Sequence, residues 1–241
     1  MPFQEEVLTL PTATNDRRHE GVFYTGMASA ILLTILTGFG ASSFRRAAPF
    51  SALVYLHAGV FTVWVLLFLA QTALVAAGHT RLHRRLGVAG GVLAGLIIVL
   101  GLATAIHGAR NGHNPGGPYP DALAFLVVGL TDIFLFSSFV LAGLYYRRRR
   151  EVHKRLMLLA TIGGLLWPAI TRLPYVRGQF FPMFALLALF VLAGPVHDLL
   201  TRGRVHAVYV WGGVLILASF PIRRAIGLSD TWHRIAAWLI G

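Results

Sequence analysis

The chain has 241 residues, of which 56% are hydrophobic and only 12% charged, and its mean hydropathy is +0.68. A soluble domain of this length cannot hide so much apolar surface in one core, so a soluble protein is excluded. The 21 Lys and Arg against 9 Asp and Glu give a net charge of +12. Because these basic residues lie in short turns between apolar runs, they favour anionic lipid headgroups rather than nucleic acid as the counter-charge.

Cysteine is absent from the sequence. Its absence excludes disulfides, thiolate metal sites and covalent attachment of c-type haem. The sequence also lacks a Walker loop, a His-Glu-x-x-His zinc motif, a nucleophile elbow and a dinucleotide fingerprint. No enzyme class is therefore indicated by a motif.

Residues 1–21 are predicted to form a polar cytoplasmic tail, since they begin with acidic rather than basic residues and do not resemble a signal peptide. Seven apolar runs follow, and each is close to the roughly 20 residues that a bilayer core requires. They cover residues 22–42, 50–78, 87–108, 122–146, 155–171, 180–200 and 205–226. The sequence thus predicts an all-α polytopic membrane bundle over residues 22–226.

The distribution of basic residues predicts the orientation of this bundle. Thirteen Lys and Arg fall on the side of the N-terminus and eight on the other side. Cytoplasmic loops hold the excess, which places the N-terminus in the cytoplasm and, after seven crossings, the C-terminus outside.

Residues 227–241 are predicted to form a short amphipathic helix in the outer interface. Ser229 or Asp230 is a suitable N-cap for it. The apolar residues at helical spacing are Trp232, Ile235, Ala236 and Leu239.

The second and third crossings carry histidines that suggest a cofactor. His57 is predicted about 10 Å below the outer end of its helix, and His107 ends the antiparallel neighbour. Such a pair suits the axial ligands of a b-type haem or two ligands of another metal ion. Arg110 and Arg172 are expected on the same side, where they could contact haem propionates. The alternative is that each histidine only bonds a neighbouring helix or sits at the interface. A second haem on this helix is not supported, because Gln71 stands where its ligand would be.

Asp132 is the strongest single-residue signal. It is predicted near the bilayer midplane, where a carboxyl must face the bundle interior and find a partner. Two roles of Asp132 are compatible with this position. It could form a hydrogen bond to Gln71 that holds two helices together, or it could take part in proton movement. Asp132 and Gln71 are therefore the candidate catalytic residues.

A second group of histidines is predicted near the cytoplasmic surface, beside the arginine-rich turns. A separate site between helices is one hypothesis for them, and headgroup contact or helix capping is the other. His197 precedes Asp198, which is typical of an oriented histidine pair. The group comprises His79, His83, His153, His197 and His206.

Glycines recur every four residues on the third crossing, at Gly87, Gly91 and Gly95. They form one stripe along a helix face. Close packing of a neighbouring helix against this stripe is the expected explanation. A groove for a flat cofactor is the alternative.

Two helix starts carry a family resemblance. The third crossing opens on His83-Arg84-Arg85-Leu86-Gly87, and the fifth opens on His153-Lys154-Arg155-Leu156-Met157 and ends on Thr171-Arg172-Leu173. This pattern resembles the DUF2306-like family of uncharacterised bacterial multipass membrane proteins, with Leu156 where that family has Trp. The first motif is also similar to haem A synthase and to cytochrome b561-type helices. The resemblance implies a protein of the bacterial inner membrane and, by analogy of fold only, haem.

Three functions are compatible with these observations. The first is a redox protein that binds haem b through His57 and His107, with Asp132 and Gln71 in proton or quinol chemistry. The second is a non-catalytic subunit of a larger respiratory or photosynthetic membrane complex, packed against other subunits. The third is a proton-coupled transporter built around Asp132, although no pair of broken helices is evident in the sequence.

Overall fold

The computed structural model describes residues 13–43, 50–114 and 119–241, and over these ranges it consists of helices and turns without strands. Most of the predicted tail, together with Arg45 and Arg46 of the charge count, lies outside the described residues. The helices are α1 (Ala13–Ser43), α2 (Ala52–Ala76), α3 (Thr80–Arg110), α4 (Ala122–Tyr145), α5 (Arg150–Thr161), a π-helical turn (Ile162–Leu166), α6 (Trp167–Ile170), α7 (Phe180–Arg202), α8 (Ala207–Gly227) and α9 (Asp230–Ile240).

Six of these helices are long and apolar enough to cross a membrane, namely α1, α2, α3, α4, α7 and α8. The prediction of an all-α multipass membrane protein is confirmed to that extent. The predicted fifth crossing corresponds to α5, the π-helical turn and α6, which follow one another without a gap but do not form one helix of spanning length. The seventh crossing and the orientation of the termini stay predictions.

Helix α4 forms the centre of the bundle. It packs against α3, α5, the π-helical turn, α8 and α9. More than half of its apolar span is buried (56%), whereas only 17% is buried in α2 and in α3. The outer helices therefore expose apolar side chains to the surroundings, as a membrane protein does in lipid, and α4 provides the core.

The π-helical turn interrupts the helix that packs on α4. Pro168 follows it closely, and a proline ring clashes with the carbonyl four residues before it in a straight α-helix. A widened turn ahead of the proline accommodates this ring. All five residues of the turn are buried. A Cβ atom on Gly164 would lie 3.1 Å from the carbonyl oxygen of Asp132 and 3.1 Å from Cα of Phe136, so the two backbones approach closely here.

Two ends of the bundle can be distinguished. The turns between α2 and α3, α4 and α5, and α7 and α8 lie at one end of the bundle. Side chains of α5 and α7 bond there to one another and to Glu20 of α1, and the start of α3 contacts the start of α5. We call this end the basic end because these turns carry many arginines. Helix α9 lies at the opposite end, where it packs against α3 and α4.

The predicted C-terminal helix is present as α9. Ser229 is its N-cap, and its hydroxyl accepts a hydrogen bond from the backbone N–H of Trp232 at 3.2 Å. The Trp232 indole donates to the carbonyl of Leu123 at 2.8 Å, and Ala236 is fully buried. Ile235 and Leu239, which were expected on the apolar face, are exposed instead. The packed face is formed by Trp232, Ala236 and Ile240.

The glycine stripe on α3 does not pack as expected. Among the described residues, nothing lies within 4 Å of a Cβ built on Gly91 or Gly95. Other glycines of α3 do lie close to a neighbour. A Cβ built on Gly90 would be 3.3 Å from Cδ2 of Leu67, and one built on Gly101 would be 2.8 Å from Cγ1 of Ile133. The expectation of close helix packing along the stripe is therefore wrong for Gly91 and Gly95 within this chain.

Gly164→Ala is expected to destabilise the bundle, because its methyl group would push the π-helical turn away from α4. The expected loss in free energy of unfolding is about 1–3 kcal/mol, as for overpacking of a close-packed core. Denaturant titration in mixed micelles measures it. Gly91→Ala is the control, since its methyl group enters open space. Equal stabilities of the two variants would contradict the packing described here.

Candidate functional site

A buried ion pair joins α4 to α8. Nη1 of Arg223 donates to Oδ1 of Asp132 at 2.8 Å, and the two side chains are only 2% and 6% exposed. Nη2 of Arg223 donates to the hydroxyl of Ser219 at 2.7 Å, one turn earlier on α8. Asp132 was predicted to need a partner in the bundle interior, and that partner is Arg223.

The arginine of this pair also stacks on an aromatic cluster. Its guanidinium lies 4.1 Å from the ring centroid of Phe220, which is within the range of a cation–π interaction. Phe220 in turn contacts Trp167 edge to face, with centroids 4.4 Å apart, and Phe184 at 5.5 Å. The cluster connects the ion pair to the residue that follows the π-helical turn and to α7.

A cavity of about 200 Å³ lies between α4 and α8 beside the pair. Its polar lining comes from Thr131, Ser219 and Arg223, and the rest is apolar. Two of the apolar residues, Phe134 and Leu215, are 66% and 55% exposed, which shows that the cavity reaches the outside of the bundle. A ligand with an apolar body and a polar or anionic head matches this lining.

Gln71 is not the partner of Asp132. Its side chain lies beside α3 instead, where Nε2 is 3.8 Å from a Cβ built on Gly87. Its Oε1 is buried and has no hydrogen-bond partner among the described residues. The hypothesis of a Gln71–Asp132 hydrogen bond is therefore wrong.

Arg223 was missed as a site residue because charge counting assigned it to the outer loop. Helix α8 continues to Gly227, so Arg223 lies one turn inside the helix. The signal that could have identified it is that the apolar run continues beyond the two arginines, through Ala225 to Leu228.

The histidines proposed for haem do not contact each other. The ring of His57 stacks on Phe61, with centroids 3.9 Å apart, and lies near Leu100 of α3. His107 follows Leu100 by seven residues, which is about 10 Å along the helix, and contacts Asn111 at 3.4 Å. No hydrogen bond or ring contact joins His57 to His107 in the described part of the chain. Nδ1 of His57 is buried without a partner there.

The two arginines proposed to accompany a haem are also separate. Nε of Arg110 donates to the carbonyl of Ile240 at 2.5 Å and so caps the end of α9. Nη1 of Arg172 donates to the carbonyl of Pro168 at 2.6 Å, and its guanidinium lies 4.8 Å from the ring of Phe39. The described residues contain no group of three His, Cys, Asp or Glu that could hold a metal ion. Haem binding stays a prediction.

A second polar network ties together α1, α5 and α7 at the basic end. Arg155, which is 1% exposed, donates through Nε to Asp198 at 3.0 Å and through Nη1 to Glu151 at 2.8 Å. Arg202 bonds to Glu151 at 2.7 Å and also to Glu20. Partial burial raises the pKa of Glu151, but hydrogen bonds from Arg155 and from the neighbouring lysine outweigh it and lower the pKa to about 2. Glu151 is therefore ionised at physiological pH, and the network is held by charge.

The histidines at the basic end form separate groups rather than one site. His83 and His153 lie together, with ring centroids 6.3 Å apart. His197 stacks on Phe23 at 4.0 Å, and its sequence neighbour Asp198 pairs with an arginine instead. His206 begins α8, and its Nδ1 accepts a hydrogen bond from the N–H of Val208 at 3.2 Å.

Comparison of the chain with protein-family models, with curated proteins and with solved structures gave no match. The resemblance to DUF2306-like proteins consequently stays a prediction. The functional argument depends on the geometry of the chain itself, of which the Asp132–Arg223 pair is the most unusual part.

Removing one member of the Asp132–Arg223 pair is expected to destabilise the bundle more than removing both. Asp132→Leu or Arg223→Met leaves an uncompensated buried charge, which costs about 3–5 kcal/mol. The double variant replaces the pair by apolar side chains, so its loss in free energy of unfolding should be smaller than that of either single variant. Denaturant titration in mixed micelles measures all three. Arg224→Met, at the exposed neighbour, is the control, and additive losses would contradict the pairing.

A pH-dependent contact attaches α9 to the start of α4. Nδ1 of His233 bonds the carbonyl of Ser229 at 3.0 Å, and Nε2 bonds Oδ2 of Asp121 at 3.1 Å. These two bonds raise the pKa of His233 above its usual value. The contact's contribution to stability is therefore complete below the unfolded pKa of histidine and is lost as the pH rises through the folded pKa.

Asp121→Asn is accordingly expected to lower the pKa of His233, because the carboxylate that stabilises the imidazolium is removed. The titration of the His233 ring protons by NMR measures the shift. Asp230→Asn is the control, since Asp230 acts on His233 only through space and as the smallest cause. An unchanged His233 pKa in Asp121→Asn would show that the contact is not formed.

Proposed function

We propose that this multipass helical membrane protein is a proton-coupled transporter in which Asp132 binds the proton and Arg223 is its counter-ion. The observation that carries the proposal is the buried 2.8 Å ion pair between α4 and α8. The apolar cavity beside Arg223 is the proposed position of the transported group. In this proposal the protein lies in the bacterial inner membrane, with the basic end at the anionic headgroups of the cytoplasmic leaflet.

The energetics of the pair support a functional rather than a purely structural role. Taking two charges out of water costs several kcal/mol for each ion, so a buried pair is weak evidence for stability. The packing of α4 on α8 does not need it, because apolar contacts such as Phe139 beside Gly212 already join these helices. Charged residues inside a membrane are rare and typically mark pathways for ions, protons or substrates.

Protonation of Asp132 gives the pair a second state. A neutral carboxyl no longer compensates the guanidinium of Arg223, which keeps its hydrogen bonds to Ser219 and borders the cavity. An anionic head entering the cavity can then take the place of the carboxylate. Return of the proton to water restores the Asp132–Arg223 pair and releases the anion, so proton and anion move together.

The helices near the pair are irregular although they are continuous, and the π-helical turn among them was not predicted from the sequence. The π-helical turn packs directly on Asp132, and α7 and α8 contain Pro195 and Pro221 inside the helix. A proline or a π-helical turn within a membrane helix bends it locally. π-helical turns are frequent at functional sites. These features favour the transporter over the two other functions considered from the sequence.

Haem-dependent electron transfer is a second candidate, and one observation favours it. Nδ1 of His57 is a buried nitrogen without a partner among the described residues, as an unligated axial histidine would be. An optical spectrum of the purified protein distinguishes the two candidates. A Soret band that disappears in His57→Ala would support haem, and a colourless protein with proton-coupled flux would support the transporter.

The proposal is tested in liposomes by proton uptake driven by an inward gradient of an alkyl sulfonate, an amphipathic anion, with internal pH read by a trapped dye. Asp132→Asn is expected to reduce the flux by at least about tenfold, since the proton-binding group is lost. Asp230→Asn removes an exposed carboxyl from α9 and should leave the flux unchanged. Equal flux in the wild-type protein and Asp132→Asn would overturn the proposal.

A further inference from the structure

His83 on α3 and His153 on α5 face each other at the basic end. Their ring centroids are 6.3 Å apart, and the ring planes are inclined at 78°. His83 is the fourth residue of α3 and His153 the fourth of α5, so both lie one turn from the aqueous end of their helices. Each ring is partly buried. The spacing leaves room for one ion between them, since an imidazole nitrogen binds a metal at about 2.0–2.1 Å.

A hydrogen bond to the backbone fixes which nitrogen of His153 is available, and burial distinguishes the two nitrogens of His83. Nδ1 of His153 donates to the carbonyl of Gly143 at 2.8 Å, which leaves the lone pair of Nε2 free in the neutral ring. Nδ1 of His83 is buried and has no hydrogen-bond partner among the described residues. Metal-binding histidines are typically held in this way, with the second ring nitrogen donating to a backbone carbonyl.

Two further side chains near these rings can act as neutral ligands. Oε1 of Gln71 is buried without a hydrogen-bond partner in the described chain, and Nε2 of the same side chain lies beside Gly87, one turn after His83. Met157 follows His153 by one turn, and its sulfur is 2.9 Å from a Cβ built on Gly143, the residue whose carbonyl holds His153. An amide and a thioether therefore lie within about one helical turn of the two histidines.

We propose that His83 and His153 bind a copper(I) ion, with the Met157 thioether and the Gln71 amide as supporting groups. Imidazole suits copper, and a thioether selects its monovalent form. The ligands are all neutral, and the site is next to Arg84 at the basic end, which disfavours a divalent ion more than a monovalent one. This inference is independent of the proposed transport function, because none of its residues takes part in the Asp132–Arg223 pair.

The test is an anaerobic equilibrium competition between the full-length purified protein and a chromogenic copper(I) chelator. The wild-type protein is expected to bind one copper(I) ion per chain. His83→Gln and His153→Gln should each lower the affinity by at least about tenfold, and Met157→Leu should lower it by a smaller factor. His153→Gln retains a donor for the backbone carbonyl of Gly143, and the melting temperature of each variant verifies that the fold is retained.

His79→Gln is the matched control, since His79 lies in the exposed turn just before α3 and should leave the affinity unchanged. X-ray absorption of the copper-loaded protein should show nitrogen ligands that are lost in the double variant His83→Gln/His153→Gln. Equal copper(I) binding by the wild-type protein and this double variant would overturn the proposal, as would the absence of binding to the wild-type protein. Asp132→Asn should bind copper(I) normally, so the copper experiment can succeed or fail independently of the transport experiment.

Discussion

The ion pair between Asp132 and Arg223 sets the strongest constraint on this structure, because two charges in an apolar interior tolerate few arrangements of the surrounding helices. Their contact requires α4 and α8 to lie side by side at a fixed depth. The close approach of Gly164 to α4 at the same level supports that arrangement, since any side chain there would meet Phe136 or the carbonyl of Asp132. The central position of α4, with neighbours on most sides, follows from the need to bury Asp132.

Charge is distributed in this bundle over two layers with different physical character. The inner layer holds one pair shielded from water, in which a single proton changes the balance. The layer at the basic end holds several acids and bases. Arg155 and Asp198 are as buried there as the Asp132–Arg223 pair, but Glu151 and Arg202 also contact them, so that each charge has more than one partner. A network in which each charge has several partners fixes helix ends in register, and one protonation leaves its remaining contacts in place. A change in protonation is therefore expected to affect the protein mainly through the Asp132–Arg223 pair.

Composition and apolar run length were sufficient to predict the membrane bundle and the bounds of most helices, because each crossing must be about 20 apolar residues long whatever its neighbours. The need of Asp132 for a buried partner was predictable for the same reason. The identity of that partner was not, since helix adjacency depends on side-chain packing that a single sequence does not encode in its periodicity. Arg223 was therefore predicted to lie in an outer loop, and Gln71 was considered as the partner of Asp132. His57 and His107 were paired by depth alone, whereas the depth of a helix residue has to be known to within one turn for two ligands to meet.

Infrared difference spectroscopy of the protein in lipid bilayers tests the central claim most directly, because it detects the carbonyl stretch of a protonated carboxyl and the bands of guanidinium groups in the same sample. On lowering the pH, the wild-type protein should show a protonated-carboxyl band together with a change in the arginine bands, and both should be absent in Asp132→Asn. Persistence of the same bands in Asp132→Asn, or their absence from the wild-type protein, would contradict the account of Asp132 and Arg223 as a proton-controlled ion pair.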